Sequence, residues 1–180
     1  MRSHSKLLQL LSILALSATT ILAKQADGEL QLPRPDLEKQ LYKVNGYQLR
    51  KSSFSEQTQV VIFFYSASWC ASCKQIAKPL KEIYPNLRKD HPEIELVTFS
   101  MNEGVSGRAE HLRKTDYPWP AIGPAAAEKA TWTIEVDGGI PQFQAFELNE
   151  NGLVAITATQ PADEVLQASI THLKKLGGAK

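Results

Sequence analysis

The feature that most constrains this chain is a change of hydrophobic period around residues 66–71. Val60-Val61-Ile62-Phe63-Phe64-Tyr65 is an unbroken apolar run, the pattern of a strand covered on both faces of a sheet. From Ala71 onward Ile76, Leu80, Ile83, Tyr84 and Leu87 recur at helical spacing, with Lys74, Lys78, Lys81 and Arg88 on other faces. A buried strand that turns directly into an amphipathic helix points to a layered α/β fold. At that junction stand the only two cysteines of the chain, in Trp69-Cys70-Ala71-Ser72-Cys73. A sulfur in the first turn of a helix meets unpaired backbone N–H groups and the positive end of the helix dipole. Both favour the thiolate, which is the reactive form.

The rest of the chain supplies layers around this junction. Gly28 to Pro35 has two prolines and no period, and reads as an extended lead-in. Asp36 to Val44 is predicted as a short helix with Leu37, Leu41 and Val44 on one side, and Asn45-Gly46 as a turn before a short strand over Tyr47 to Arg50. The first central strand covers Gln59 to Ser66, and a second covers Glu93 to Met101. In the helix between them Pro79 is expected to introduce a kink, and Pro85 to kink it again or end it near Tyr84.

Gly104 to Thr115 reads as a helix, whereas two prolines exclude a regular element from Tyr117-Pro118-Trp119-Pro120. Ala125 to Trp132 is predicted as a short helix. Thr133 to Val136 is either a short strand or the approach to the Asp137-Gly138-Gly139 turn. Gln142 to Leu148 and Leu153 to Thr159 flank Asn149-Glu150-Asn151-Gly152 as a β-hairpin, and Pro161 to Leu176 forms the last helix. Two central strands joined by a helical crossover are parallel, and the hairpin adds antiparallel strands. The expected class is therefore α/β, with a central mixed β-sheet flanked by helices.

The N-terminus differs in kind. Arg2 and Lys6 precede an uncharged, Leu-rich stretch from Leu7 to Ala23, followed by polar Lys24-Gln25-Ala26-Asp27. This is the build of a secretory signal peptide cleaved after Ala23. An uncleaved anchor and a core helix are the alternatives, although Gln9, Ser12, Ser17, Thr19 and Thr20 dilute the stretch as a membrane span. The expected organisation is 1–23 signal peptide or N-terminal anchor, 24–40 linker or lead-in, 41–176 globular domain and 177–180 tail. Export implies a periplasmic or other extracytoplasmic compartment in which disulfides persist. Membrane contact follows only if the N-terminal segment stays uncleaved. The full chain carries a formal charge of +1, and losing Arg2 and Lys6 turns this to −1. Without a basic patch there is no electrostatic motive for binding nucleic acid.

Trp69-Cys70-Ala71-Ser72-Cys73, set after a buried strand and at a helix start, resembles the thioredoxin superfamily. Gly139-Ile140-Pro141, just before a strand, is similar to the cis-proline loop of that fold. Phe64-Tyr65-Ser66-Ala67-Ser68-Trp69-Cys70 and Tyr117-Pro118-Trp119-Pro120-Ala121-Ile122 are similar to two stretches of the tryparedoxin and nucleoredoxin branch. The resemblance runs roughly over residues 41–176. Three positions depart from it. Ala71-Ser72 stands where the branch carries Pro-Pro, Pro79 falls one residue later than the family's helix proline, and Phe64 occupies the place of the buried Asp of thioredoxins proper. The last departure leaves Cys73 without an obvious proton acceptor.

The resemblance implies a thioredoxin fold and a thiol–disulfide oxidoreductase acting on protein or peptide thiols and disulfides, with the reductase direction favoured. No cofactor is expected, because the cysteine pair itself carries two electrons, but a separate redox partner is. Cys70, the N-terminal member, is assigned the attack and Cys73, one turn on, the resolution of the mixed disulfide. Ala71 and Ser72 support the pair, and the Ser72 hydroxyl is placed to donate to the Cys70 sulfur. Lys74 either lends charge to the Cys70 thiolate or belongs to a solvated helix face.

If Pro141 is cis, the Ile140 backbone faces the cysteines and can bind an extended substrate segment as an added strand. If it is trans, it merely ends a loop. Trp69 and Trp119 are candidates for an apolar substrate rim, with ordinary core burial the alternative for Trp119, and Trp132 is assigned to the core or to helix packing. Two readings compete with redox chemistry. A plain staple across so small a loop would add only about 2 kcal/mol by loop entropy. A non-catalytic module would hold a metal ion or a protein partner through the same cysteines. His91, His111 and His172 show no ligand spacing for a zinc site and are expected at the surface.

Overall fold

The computed structural model describes residues 29–30, 33–129 and 139–178. The expected signal segment, Trp132, the Thr133 to Val136 stretch and the Asp137-Gly138 part of the turn lie outside them. Among the described residues no helix is long and apolar enough to cross a membrane.

The elements in chain order are β1 (Glu29–Leu30), α1 (Arg34–Glu38), β2 (Leu41–Asn45), β3 (Gln48–Lys51), β4 (Val60–Ser66), α2 (Ala71–Asp90), β5 (Ile94–Ser100), α3 (Gly104–Thr115), β6 (Ala121–Ile122), α4 (Pro124–Lys129), β7 (Gln142–Leu148), β8 (Leu153–Ala155) and α5 (Ala162–Gly178). The eight described strands form one mixed sheet in the order β1-β8-β7-β4-β5-β6-β2-β3. β4 and β5 lie side by side in parallel, from Val60 opposite Ile94 to Ser66 opposite Ser100. β7 flanks β4 antiparallel, from Glu147 opposite Val60 to Gln142 opposite Tyr65.

Every residue of β4 and β5 is buried, as central strands under helices on both faces should be. The period of two then sorts the side chains. Val60, Ile62 and Phe64 join Ile94, Leu96, Phe143 and Ala145 in one core, under Ala77 and Tyr84 of α2 and Val165 of α5. Val61, Phe63 and Tyr65 join Val97, Phe99 and Phe146 in the other, with Leu37, Leu41, Ile122 and Ala127.

Several expectations are corrected. The helix predicted over Asp36 to Val44 stops at Glu38, and Leu41–Asn45 is a strand. Leu37 and Leu41 are both fully buried, so their helical spacing was genuine burial read with the wrong period. Two pairings outweigh local propensity there: β2 with β3 across the Asn45-Gly46 turn, where Gly46 takes φ +61°, and β2 with β6. The stretch read as a lead-in also holds structure. Glu29–Leu30 pairs with β8, and Arg34 donates to the carbonyls of Ser55 and Thr58 at 2.7 and 3.1 Å. Pro85 does not end α2, which continues through Pro79 and Pro85 to Asp90. Both prolines are exposed, so the carbonyls they leave without a helical donor can turn to water. The hairpin's second strand ends at Ala155, with one further bridge at Gln160 opposite Phe143.

Candidate active site

β4 and β5 end in register at Ser66 and Ser100, so the chain leaves both at the same edge of the sheet. Loops beyond the carboxyl ends of parallel strands are where α/β folds build sites. Cys70 is the N-cap of α2, with extended backbone (φ −82°, ψ 104°), and its sulfur accepts a hydrogen bond from the Cys73 N–H at 3.0 Å. Sulfur thus takes the place that a Ser or Asp oxygen holds at other helix starts. Cys70 and Cys73 form a disulfide with an S–S distance of 2.10 Å. Ser72 Oγ lies 3.4 Å from Cys70 Sγ, and with that sulfur in a disulfide only the hydroxyl can donate. Cys73 is fully buried, Cys70 is 5% exposed and Trp69 is 68% exposed.

Two neighbouring segments hold this turn. Asn102, just past β5, clamps Ser68: its Oδ1 accepts from the Ser68 N–H at 2.9 Å and its Nδ2 donates to Ser68 Oγ at 2.8 Å. The Met101 N–H donates to Ser66 O at 2.8 Å. On the other side, pairing of Gln142 with Tyr65 brings the start of β7 beside the end of β4. The Ile140–Pro141 peptide bond there is cis, and Ile140 O lies 3.6 Å from Cys70 Sγ. The structure therefore brings together Trp69, Cys70, Ser72, Cys73, Ile140 and Pro141.

It does not bring Trp119 to the rim. Trp119 is 1% exposed, its indole N–H donates to Thr98 Oγ1 at 2.8 Å, and its ring stacks on Tyr117 at 4.9 Å with the edge of Tyr84 at 5.4 Å. The buried Thr98 hydroxyl gives the indole N–H a partner, which lets so large a ring sit in the core. Phe64 stacks on Phe143 at 4.7 Å and meets Tyr117 at 5.9 Å, so an aromatic cluster fills the place where a thioredoxin-type Asp was not expected.

His111, expected at the surface, is also buried. Its Nδ1 lies 2.9 Å from Ser100 Oγ and its Nε2 3.5 Å from Ser66 Oγ, so it ties together the ends of β4 and β5. Burial lowers its pKa to about 4, with the charge of Lys74 acting in the same direction. Ser66 also bonds the Tyr117 hydroxyl. His172 is half-buried and sits 2.8 Å from Glu147. Sequence reasoning missed Ser68, Asn102 and His111. The available signal was polar Ser66 and Ser100 closing the two central strands, because buried hydroxyls require partners. Among the described residues no group of three or more His, Cys, Asp or Glu side chains could hold a metal ion.

Comparison with known proteins agrees with this geometry. Residues 57–134 match the model of a thioredoxin-like family. Probable nucleoredoxin 3 of Arabidopsis thaliana is 30% identical over 64 residues, 36% of this chain but only 16% of that longer protein. A thioredoxin from Wuchereria bancrofti superposes with a TM-score of 0.52 at 23% identity, covering 80% of this chain and 98% of that one. Tryparedoxin I from Leishmania major gives 0.52 at 20% identity, covering 72% and 86%. The fold is thus the thioredoxin fold, and residues 57–134 are similar to a thioredoxin-like family.

Proposed function

We propose that this chain of thioredoxin fold belongs to the thioredoxin superfamily, on its tryparedoxin and nucleoredoxin side, and is a thiol–disulfide oxidoreductase for protein or peptide disulfides, working as a reductase in a disulfide-permissive compartment outside the cytoplasm. One observation carries the reading: Cys70 Sγ caps α2, bonded to Cys73 and 3.6 Å from Ile140 O beside a cis Pro141. In the reduced protein the Cys70 thiolate attacks one sulfur of a substrate disulfide. That S–S bond breaks, a Cys70–substrate disulfide forms, and the departing substrate thiolate takes a proton from solvent. Cys73, deprotonated in turn, attacks Cys70 Sγ and releases the second substrate thiol. The substrate gains two electrons and two protons, and the Cys70–Cys73 disulfide is restored. A dithiol or thiol reductant returns the pair to its starting state.

The positions suit these roles. Cys70 receives the helix N-terminus, which lowers a thiol pKa. Cys73 is shielded from competing substrates until the mixed disulfide forms. The Ile140 backbone offers strand-like hydrogen bonds to an extended segment, and Trp69 offers an exposed apolar contact. The test has two parts: the reduction potential of the Cys70–Cys73 pair, and turnover of a protein disulfide such as insulin with dithiothreitol as donor. Turnover that is lost in Cys70→Ser, with Cys73→Ser accumulating mixed disulfides, is the expected result. Stoichiometric retention of copper or zinc by the cysteines without any turnover would replace this reading with the binding-module one.

A further inference from the structure

Beside the cysteine pair lies a groove of about 530 Å³ whose lining runs from Ser68 and Lys74 to Lys114 and Tyr117. Ser68 directly precedes Trp69 and Lys74 directly follows Cys73, so the groove adjoins the reactive turn. Lys74, Lys78 and Lys81 stand at i, i+4 and i+7 of α2 and share one face. Lys114 faces them from the last turn of α3. Four ammonium groups line the groove and no lining residue is acidic.

Two of these lysines are already engaged. Lys114 pairs with Glu110 at 2.6 Å, and Lys81 donates to Thr115 O at 2.5 Å and lies 5.2 Å over the Tyr117 ring. The ammonium groups of Lys74 and Lys78 have no hydrogen bond or ion pair among the described residues. Like charges one turn apart repel. A concave wall partly made of the buried Ala77 and Tyr117 strengthens the field that an incoming anion meets.

We propose that this groove receives an acidic segment of the protein or peptide whose disulfide the Cys70–Cys73 pair exchanges, with Lys74 and Lys78 as its contacts. The proposal rests on the oxidoreductase reading and adds a selectivity to it. An acidic peptide fits better than a nucleic acid strand. The lining contains no arginine, and its one aromatic, Tyr117, is 6% exposed and offers no open stacking platform.

The test uses the full chain and cysteine-free peptides of one length carrying four Glu, four Gln or four Lys, each with the same dye, read by fluorescence anisotropy. The Glu peptide is expected to bind about tenfold more tightly than the Gln peptide at low ionic strength, with the preference fading near 0.5 M salt. It should be lost in Lys74→Gln/Lys78→Gln and kept in Lys89→Gln, at the far end of the helix. Equal binding of the Glu and Gln peptides, or a preference that survives the double substitution, overturns the proposal. So does an oligothymidylate that displaces the Glu peptide at tenfold lower concentration. Disulfide-bearing versions of the same peptides, assayed for turnover, separate the two claims. Acid-selective binding without turnover of any peptide keeps the groove and removes the oxidoreductase reading.

Discussion

The backbone N–H of Cys73 donates to Cys70 Sγ at 3.0 Å, so one cysteine caps the helix that carries the other. On reduction the same N–H faces a thiolate, and a charged acceptor strengthens the bond. The Cys70 pKa should then lie below the free value of about 8.5, within roughly 3.5 to 7.5. Thiolate absorbance or alkylation rate against pH measures it. Ser72→Ala removes the hydroxyl 3.4 Å away and should raise that pKa, because the thiolate loses a donor; an unchanged value would mean that the hydroxyl points elsewhere in the reduced state.

The clamp between Ser68 and Asn102 is a positioning device. Asn102→Ala breaks both of its bonds to Ser68 and should destabilise the fold by about 1–3 kcal/mol. Ser68→Ala loses only the hydroxyl contact, about 1 kcal/mol. Because the two share a partner, the double-mutant cycle should show coupling of at least ~0.5 kcal/mol. Denaturant melts of the four proteins measure it. A positioning role further requires that Asn102→Ala shift the reduction potential of the pair, and Ser68→Ala less so.

Trp69 and Trp119 should respond in opposite ways. Trp119→Ala opens a cavity in the core and strands the Thr98 hydroxyl, costing about 3–5 kcal/mol of stability. Trp69, 68% exposed, should change stability by no more than ~0.5 kcal/mol on replacement by Ala. It should instead raise KM for a protein disulfide while leaving that for a small disulfide unaltered. Thermal melts and steady-state rates on two substrates separate the cases.

His111 makes stability depend on pH. Its pKa falls from 6.5 when unfolded to about 4 when folded, so between those values the unfolded chain binds a proton that the native state refuses. Stability is complete above about pH 6.5 and declines as pH falls toward 4, by up to about 3 kcal/mol. Glu95 titrates with the opposite sign, because burial raises its pKa above 4.5 and its native state favours the proton. The reading is therefore the difference between wild type and His111→Gln. Urea midpoints at pH 7, 6, 5 and 4.5 should converge for the two proteins at the acid end.

What the sequence determined alone was local and periodic. The apolar run of residues 60–65 and the helical spacing after Ala71 placed the cysteines at a strand-to-helix turn. The same unbroken run marked β4 as a strand covered on both faces. Where the pattern was short or aperiodic, tertiary contact decided. Leu37, Leu41 and Val44 fit a helix, yet pairing with β3 and β6 made a strand of the last two. Tyr117-Pro118-Trp119-Pro120 has no period, so only packing could send Trp119 inward onto Thr98. Asn102 reaches Ser68 across 34 residues and His111 reaches Ser66 across 45. The lysine groove joins the face of one helix to the end of another. Spacing along a chain reports which face of its own element a side chain occupies; it carries no information about which distant element will lie against that face, and that is set when the whole core is buried at once.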